Sequence, residues 1–213
     1  MAHEDCDWPG LAQTVTGEDA CAAAAHNDQA LPHHALDLAL GAVPYVGPIS
    51  TAPIVLLLSH VELQSRAAPG DYAFRRHGWP LSALHPDAPA APRAWWQGSA
   101  AALIDTFGAQ HVANSVAGLF LTPWHMASFD ARLRLPSRAR MLALAERVAS
   151  RDATLLLMRG ADLWTESAAI ASLPITRLIR AKSWRATEIT RANLGDDAWS
   201  HVLRQIEVHA WLA

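Results

Sequence analysis

An unbroken apolar stretch, Ile54-Val55-Leu56-Leu57-Leu58, lies between Pro53 and Ser59. A run of strand length that is apolar without alternation predicts a strand covered on both faces, as in a parallel sheet. Comparable runs follow at Asn114 to Leu121, closed by Pro123, at Ala153 to Met158, led in by Asp152, and at Ile175 to Ile179 after Pro174. Helical spacing predicts helices between and after them. One runs from Ala94 to Phe107 with Gly108 as its stop, another from Arg138 to Ser150 with Met141, Leu144, Ala145 and Val148 on one face. A third covers residues 161–172. The last begins at Asp196 and Asp197, acidic residues that suit a helix start, and carries Trp199, Val202, Leu203, Ile206 and Trp211. Upstream, Leu31, Ala35 and Leu38 before Gly41 predict a helix over 31–41, and Ala22 to Ala25 predict a short one. Pro44 to Pro48 reads as a loop.

Alternation of strands and helices argues for an α/β fold with a parallel sheet between helices. Residues 62–93 interrupt the pattern with Pro69, Gly70, Gly78, Pro80, Pro86, Pro89 and Pro92, and read as an irregular insertion. The expected organisation is an acidic, partly helical extension over 1–40, then one α/β domain over 41–213.

Composition narrows the class. With 213 residues, 51% hydrophobic and 17% charged, the chain is neither disordered nor too short for a sizeable core. No apolar run approaches the roughly 20 residues that span a bilayer, so no membrane partner is expected. The net charge of −3 conceals a split: residues 1–62 carry eight acidic and no Lys or Arg side chains, whereas the remainder carries seventeen basic and twelve acidic. All the basic residues but Lys182 are arginine, which binds phosphate and carboxylate in a planar, bidentate way. Arg132, Arg134, Arg138 and Arg140 form the densest cluster and are expected to border a binding crevice. Cys6 and Cys21 follow an acidic start where a signal peptide would need basic residues, so a cytoplasmic location with two free thiols is expected.

In an open parallel sheet, ligands bind outside the carboxyl ends of the strands. The strand exits are therefore the segments to watch: Ser59-His60-Val61-Glu62, Thr122-Pro123-Trp124-His125, Arg159-Gly160-Ala161-Asp162 and Arg180 to Trp184. At the first, His60 can serve as a general base near neutral pH and Glu62 can orient a water, while Ser59 equally suits a cap. At the second, Trp124 can stack on a base or cover the core edge. His125 with Ser128 could instead form the nucleophile and base of a small-molecule hydrolase, given a hydrogen bond between them. The eleven histidines include no HExxH, and no CxxC, P-loop or GxGxxG is present. Neither a metal nor another cofactor is expected.

Several segments resemble one family: Pro44-Tyr45-Val46-Gly47, Ala52 to Ser59, Leu84-His85-Pro86, Ala94-Trp95-Trp96 and Ile189 to Leu194. Over residues 40–210 the chain is similar to bacterial members of the uracil-DNA glycosylase-like superfamily. The resemblance implies a three-layer α/β/α sandwich with a four-stranded, mainly parallel sheet. It also implies a crevice that takes a nucleobase, nucleotide or DNA and hydrolyses an N-glycosidic bond. On that reading Ser59, His60 and Glu62 hold the catalytic position, Tyr45, Gly47, Trp124, His125 and Ser128 frame the base, and Lys182 and Arg185 meet charge or phosphate. The family's Asn or Asp at the first motif and His-Pro-Ser at the last are absent; Ser59 to Glu62 and Ala181 to Trp184 stand there instead. The alternative is a domain that kept the fold and binds nucleic acid or protein without catalysis.

Overall fold

The computed structural model describes residues 8–64, 67–183 and 185–212, with side chains to 209. Cys6, Trp184 and the Trp211 side chain lie outside it. Helix α1 (Trp8–Asn27) precedes the two-residue strand β1 (Tyr45–Val46) and the central strand β2 (Ile54–Glu62). Helices α2 (Ala90–Ser99), α3 (Ala101–Phe107) and α4 (Ala109–Ser115) lead to β3 (Val116–Met126). Then come α5 (Arg138–Ala149), β4 (Thr154–Leu157), α6 (Ala161–Trp164), α7 (Ala168–Ala171) and β5 (Leu178–Arg180). Helices α8 (Arg191–Leu194) and α9 (Asp196–Leu212) follow. The fold is α/β. No helix among the described residues is long and apolar enough to cross a membrane.

The sheet has five strands in the order β1-β3-β2-β4-β5. β2 pairs in parallel with both β3 and β4, and β4 with β5, while β1 runs antiparallel to β3. The fifth strand corrects the expected count of four. It arises where Pro44 and Gly47 read as a loop: Tyr45 and Val46 pair with Leu119 and Gly118 along the open edge of β3. A tight backbone permits this. Gly47 has φ +82°, and a Cβ there would stand 2.6 Å from the Val116 carbonyl oxygen.

Side chains alternate across the sheet between two apolar layers. Val55, Leu57, Leu119 and Leu155 pack with α1, α5 and Trp164, whereas Ile54, Leu56, Phe120 and Leu156 pack with Trp96, Leu103, Val112, Val202 and Ile206. Both sheet faces are covered, which is why β2 and β3 are apolar without alternation. The acidic N-terminal segment belongs to this core, since α1 buries Leu11, Val15, Asp19 and Ala23.

Several boundaries differ from the sequence expectation. Residues 31–41 are turns, not a helix. Their backbone pairs with the end of β3, His33 O accepting from Ser128 N at 2.8 Å and Asp37 N donating to His125 O at 2.8 Å. Pro123 does not end β3; it sits where the register slips between His60 and Val61, an irregularity of the kind that tolerates a residue without an N–H. The expected helix from Ala94 to Phe107 is two, because Ile189 N takes the Ser99 carbonyl at 2.8 Å at the break. Pro174 accepts from Arg177 N and Leu178 N, so the final strand begins three residues later than Ile175. Residues 161–172 likewise divide, with the Ser167 side chain capping α7.

Candidate functional site: a cleft at the switch point of the sheet

From β2 the chain crosses to β3 on one side and returns to β4 on the other, so the connection reverses direction between β2 and β4. A reversal of this kind opens a crevice at the carboxyl ends of the strands. Here β4 ends at Leu157, level with Leu57, whereas β2 continues to Glu62. The overhang of β2 therefore lacks a neighbour on its β4 side. A cleft of about 310 Å³ occupies that space, lined by Ser59, His60, Ala127, Ser128, Phe129, Arg159, Gly160 and Arg185.

Each wall follows from the local chain. Ser59 and His60 are the buried polar end of β2, their Oγ and Nδ1 joined by a hydrogen bond of 2.9 Å. The His60 ring stacks on Phe129, centroids 5.7 Å apart and planes 19° apart. Gly160 has φ +68°, and a Cβ there would lie 3.1 Å from the Ser59 Cβ, so glycine lets the start of α6 close on β2. Arg159 donates through Nη1 to Glu62 Oε2 at 3.2 Å and through Nη2 to the Arg185 carbonyl at 3.0 Å.

Burial, with the charge of Arg159 and the neighbouring His125, pushes the His60 imidazole down to about 3. The ring is thus neutral at physiological pH and offers a hydrogen bond rather than a charge. Its Nε2 is buried without a partner. Buried polar atoms are nearly always paired, so an orphaned one next to a cleft marks a place for a ligand or water.

The expected site residues divide into two groups. Ser59, His60, Ser128 and Arg185 line the cleft together. Glu62 stands behind it, its Oε2 accepting from Trp95 Nε1 at 3.1 Å as well as from Arg159. Trp124 is buried in the core, where its Nε1 donates to Asp19 Oδ2 at 2.8 Å; it covers the core edge and is out of reach of a ligand. His125 is fully buried beside Tyr72, ring centroids 4.3 Å apart, and no hydrogen bond joins it to Ser128. The nucleophile–base pair that a Ser128/His125 hydrolase needs is therefore not formed. Tyr45 is in β1 and Gly47 directly follows it, two strands away from β2. Lys182 lies against Gly195 at the corner before α9.

The arginine cluster does not line the cleft. Arg132 pairs with Asp130, Arg138 with Glu166, and Arg140 with Glu18 on α1. Three of the four arginines thus have acidic partners, and Arg134 donates to the Ala131 and Leu133 carbonyls. Among the described residues, the cations that line the cleft are Arg159 and Arg185. Sequence reasoning places Arg159-Gly160 at a strand exit without giving either residue a role, and it passes over Phe129, which directly follows Ser128. Among the described residues, no group of three His, Cys, Asp or Glu side chains could hold a metal ion. A hollow of about 410 Å³ between residues 175–179 and the start of α9 carries Asp196 and Asp197 and no arginine, so it lacks the mixed chemistry of the cleft.

Set against protein-family models, curated proteins and solved structures, the chain matches none.

Proposed function

We propose that the chain binds a nucleotide, free or within DNA, in the cleft between β2 and β4, with the base against Phe129 and the phosphate toward Arg159 and Arg185. One observation carries this reading. A flat aromatic ring, a neutral imidazole with its serine, and two guanidinium groups surround about 310 Å³ at the switch point of the sheet. Aromatic faces accept any base, and arginine forks fit phosphate oxygens. The volume is at the small end for a ligand pocket, which suits one nucleotide rather than a duplex. An enzyme of the glycosylase-like kind would take a flipped nucleotide in such a place.

Among the described residues that line the cleft there is no carboxylate, which favours the reading of binding without hydrolysis. In a hydrolase His60 would have to activate the water, yet its imidazole is held far below the range of an efficient base at neutral pH.

Calorimetric titration with 2′-deoxyuridine 5′-monophosphate and gel-shift titration with short single-stranded DNA test the reading, the latter expected to weaken as salt rises. Absence of binding to both would end it. Release of free uracil from a uracil-containing oligonucleotide, abolished in His60→Ala, would replace the non-catalytic form with a glycosylase.

A further inference from the structure

We propose that Arg159 is the anion anchor of the cleft and Glu62 its positioning residue, so that the ligand is a phosphate-bearing nucleotide rather than a free base or nucleoside. The inference rests on the nucleotide reading above and names the groups that read the phosphate.

The backbone delivers Arg159 to the cleft. Met158 N and Arg159 N both donate to the Leu57 carbonyl, at 3.2 and 3.4 Å, and the chain turns away immediately at Gly160. This sets Arg159 beside the unpaired overhang of β2. Its guanidinium is then held at two points, by Glu62 Oε2 and the Arg185 carbonyl. Glu62 is itself fixed by Trp95 Nε1 on α2. The fork is thereby tied to β2, to α2 and to the segment after β5.

A guanidinium has five N–H donors in a rigid plane. The two contacts engage two of them, and the side chain remains about 25% exposed at the cleft. A pre-oriented fork loses little conformational freedom when an anion arrives. Glu62 sits outside the lining, so it orients the fork without occupying the ligand's space. It also offsets the charge of Arg159 itself. Glu62 thus acts through Arg159 and not on a water.

The test is calorimetric titration of the full chain with 2′-deoxyuridine 5′-monophosphate and with 2′-deoxyuridine. The wild type should prefer the nucleotide. Arg159→Ala should weaken nucleotide binding about tenfold, the scale of one charge-assisted contact, and leave nucleoside binding within about twofold. Arg159→Lys should recover little, because an ammonium cannot keep both tethers and reach the phosphate. Glu62→Ala should reproduce the nucleotide-selective loss, and the double variant Glu62→Ala/Arg159→Ala should lose no more than Arg159→Ala alone. If Glu62→Ala does not fold, Glu62→Gln, which keeps an acceptor for Trp95, carries the test with a smaller loss in the same direction. Tighter nucleotide binding in either Glu62 variant, equal losses for both ligands, or additive losses in the double variant would overturn the assignment. A wild type that binds nucleoside and nucleotide equally sinks the anchor alone. One that binds neither, nor single-stranded DNA, sinks the nucleotide reading with it.

Discussion

Trp124 Nε1 donates to Asp19 Oδ2 at 2.8 Å, joining the end of β3 to the middle of α1. The same carboxylate accepts from Ser137 N at 2.9 Å and Ser137 Oγ at 2.6 Å, just before α5. One fully buried acidic side chain therefore ties three elements together. Asp19→Ala leaves an indole N–H, an amide and a hydroxyl without their acceptor inside the core. The expected loss is about 3 kcal/mol, read as a lower urea midpoint at unchanged slope. Trp124→Phe, which removes one donor and keeps the ring, should lose about half as much. A change below 0.5 kcal/mol in Asp19→Ala would mean that solvent reaches these groups.

The same contact explains why α1 was hard to read. Its buried stripe is Leu11, Val15, Asp19 and Ala23, one residue per turn with an acid among them, so hydrophobic spacing exposed only the alanines near its end. The strands were legible where burial on both faces forced continuous apolarity, as at Ile54 to Leu58 and Thr154 to Leu157. Their ends were not. Ser59, His60 and Glu62 look like loop residues, yet they extend β2 because β3 continues to pair with it. Residues 31–41 carry helical spacing but are held as turns by hydrogen bonds to β3 that only the folded chain supplies. Ser59 and His60 could be placed at a crevice from their position after an apolar run. Trp124 could not be excluded from it, since its partner lies 105 positions away.

Acid should weaken the fold in a defined window. Burial holds the His60 imidazole at about 3 and that of His125 at about 4, whereas each returns to the ordinary value near 6.5 on unfolding. Below 6.5 the unfolded chain binds protons that the folded chain refuses, so stability falls as pH drops from 6.5 toward 4. Each histidine contributes at most about 1.4 kcal/mol per pH unit to that slope. His201 and His209, also lowered chiefly by burial, add in the same direction. Urea midpoints at pH 7, 6 and 5 measure the loss. His60→Gln and His125→Gln should flatten the profile, and a wild-type midpoint equal at pH 7 and pH 5 would contradict the buried neutral state.

Gly47 separates a structural from a ligand-contacting role for the β1 corner. At φ +82° any other residue is strained, and a methyl group would meet the Val116 carbonyl oxygen at 2.6 Å, which is backbone and cannot swing aside. Gly47→Ala should therefore cost about 2 kcal/mol or more by combining left-handed strain with overpacking. The reading is a lower melting temperature. Below that temperature the variant should bind nucleotide with wild-type affinity, because β1 is two strands removed from the cleft. Weakened binding by a folded Gly47→Ala variant would instead place the ligand at the β1 edge.

Phe129 offers the most direct test of the base-binding wall. It is half-buried, stacked on His60, and flanked by the exposed Ser128 of the same lining. A base laid on it gains on the order of 1–3 kcal/mol of stacking, so Phe129→Ala should weaken binding of both nucleotide and nucleoside by about tenfold or more. Phe129→Tyr and Phe129→Trp keep a π-face and should retain most of the affinity. This pattern is complementary to Arg159→Ala, which is expected to spare the nucleoside, so the two variants together assign one end of the ligand to each wall. Since Phe129 also covers His60, its removal lets water reach the imidazole. The ring should then titrate closer to 6.5, visible as a shift of the His60 proton resonances between pH 4 and pH 7. An alanine variant that binds both ligands as the wild type does would remove the aromatic wall from the site and leave its recognition to the two arginines and the polar end of β2.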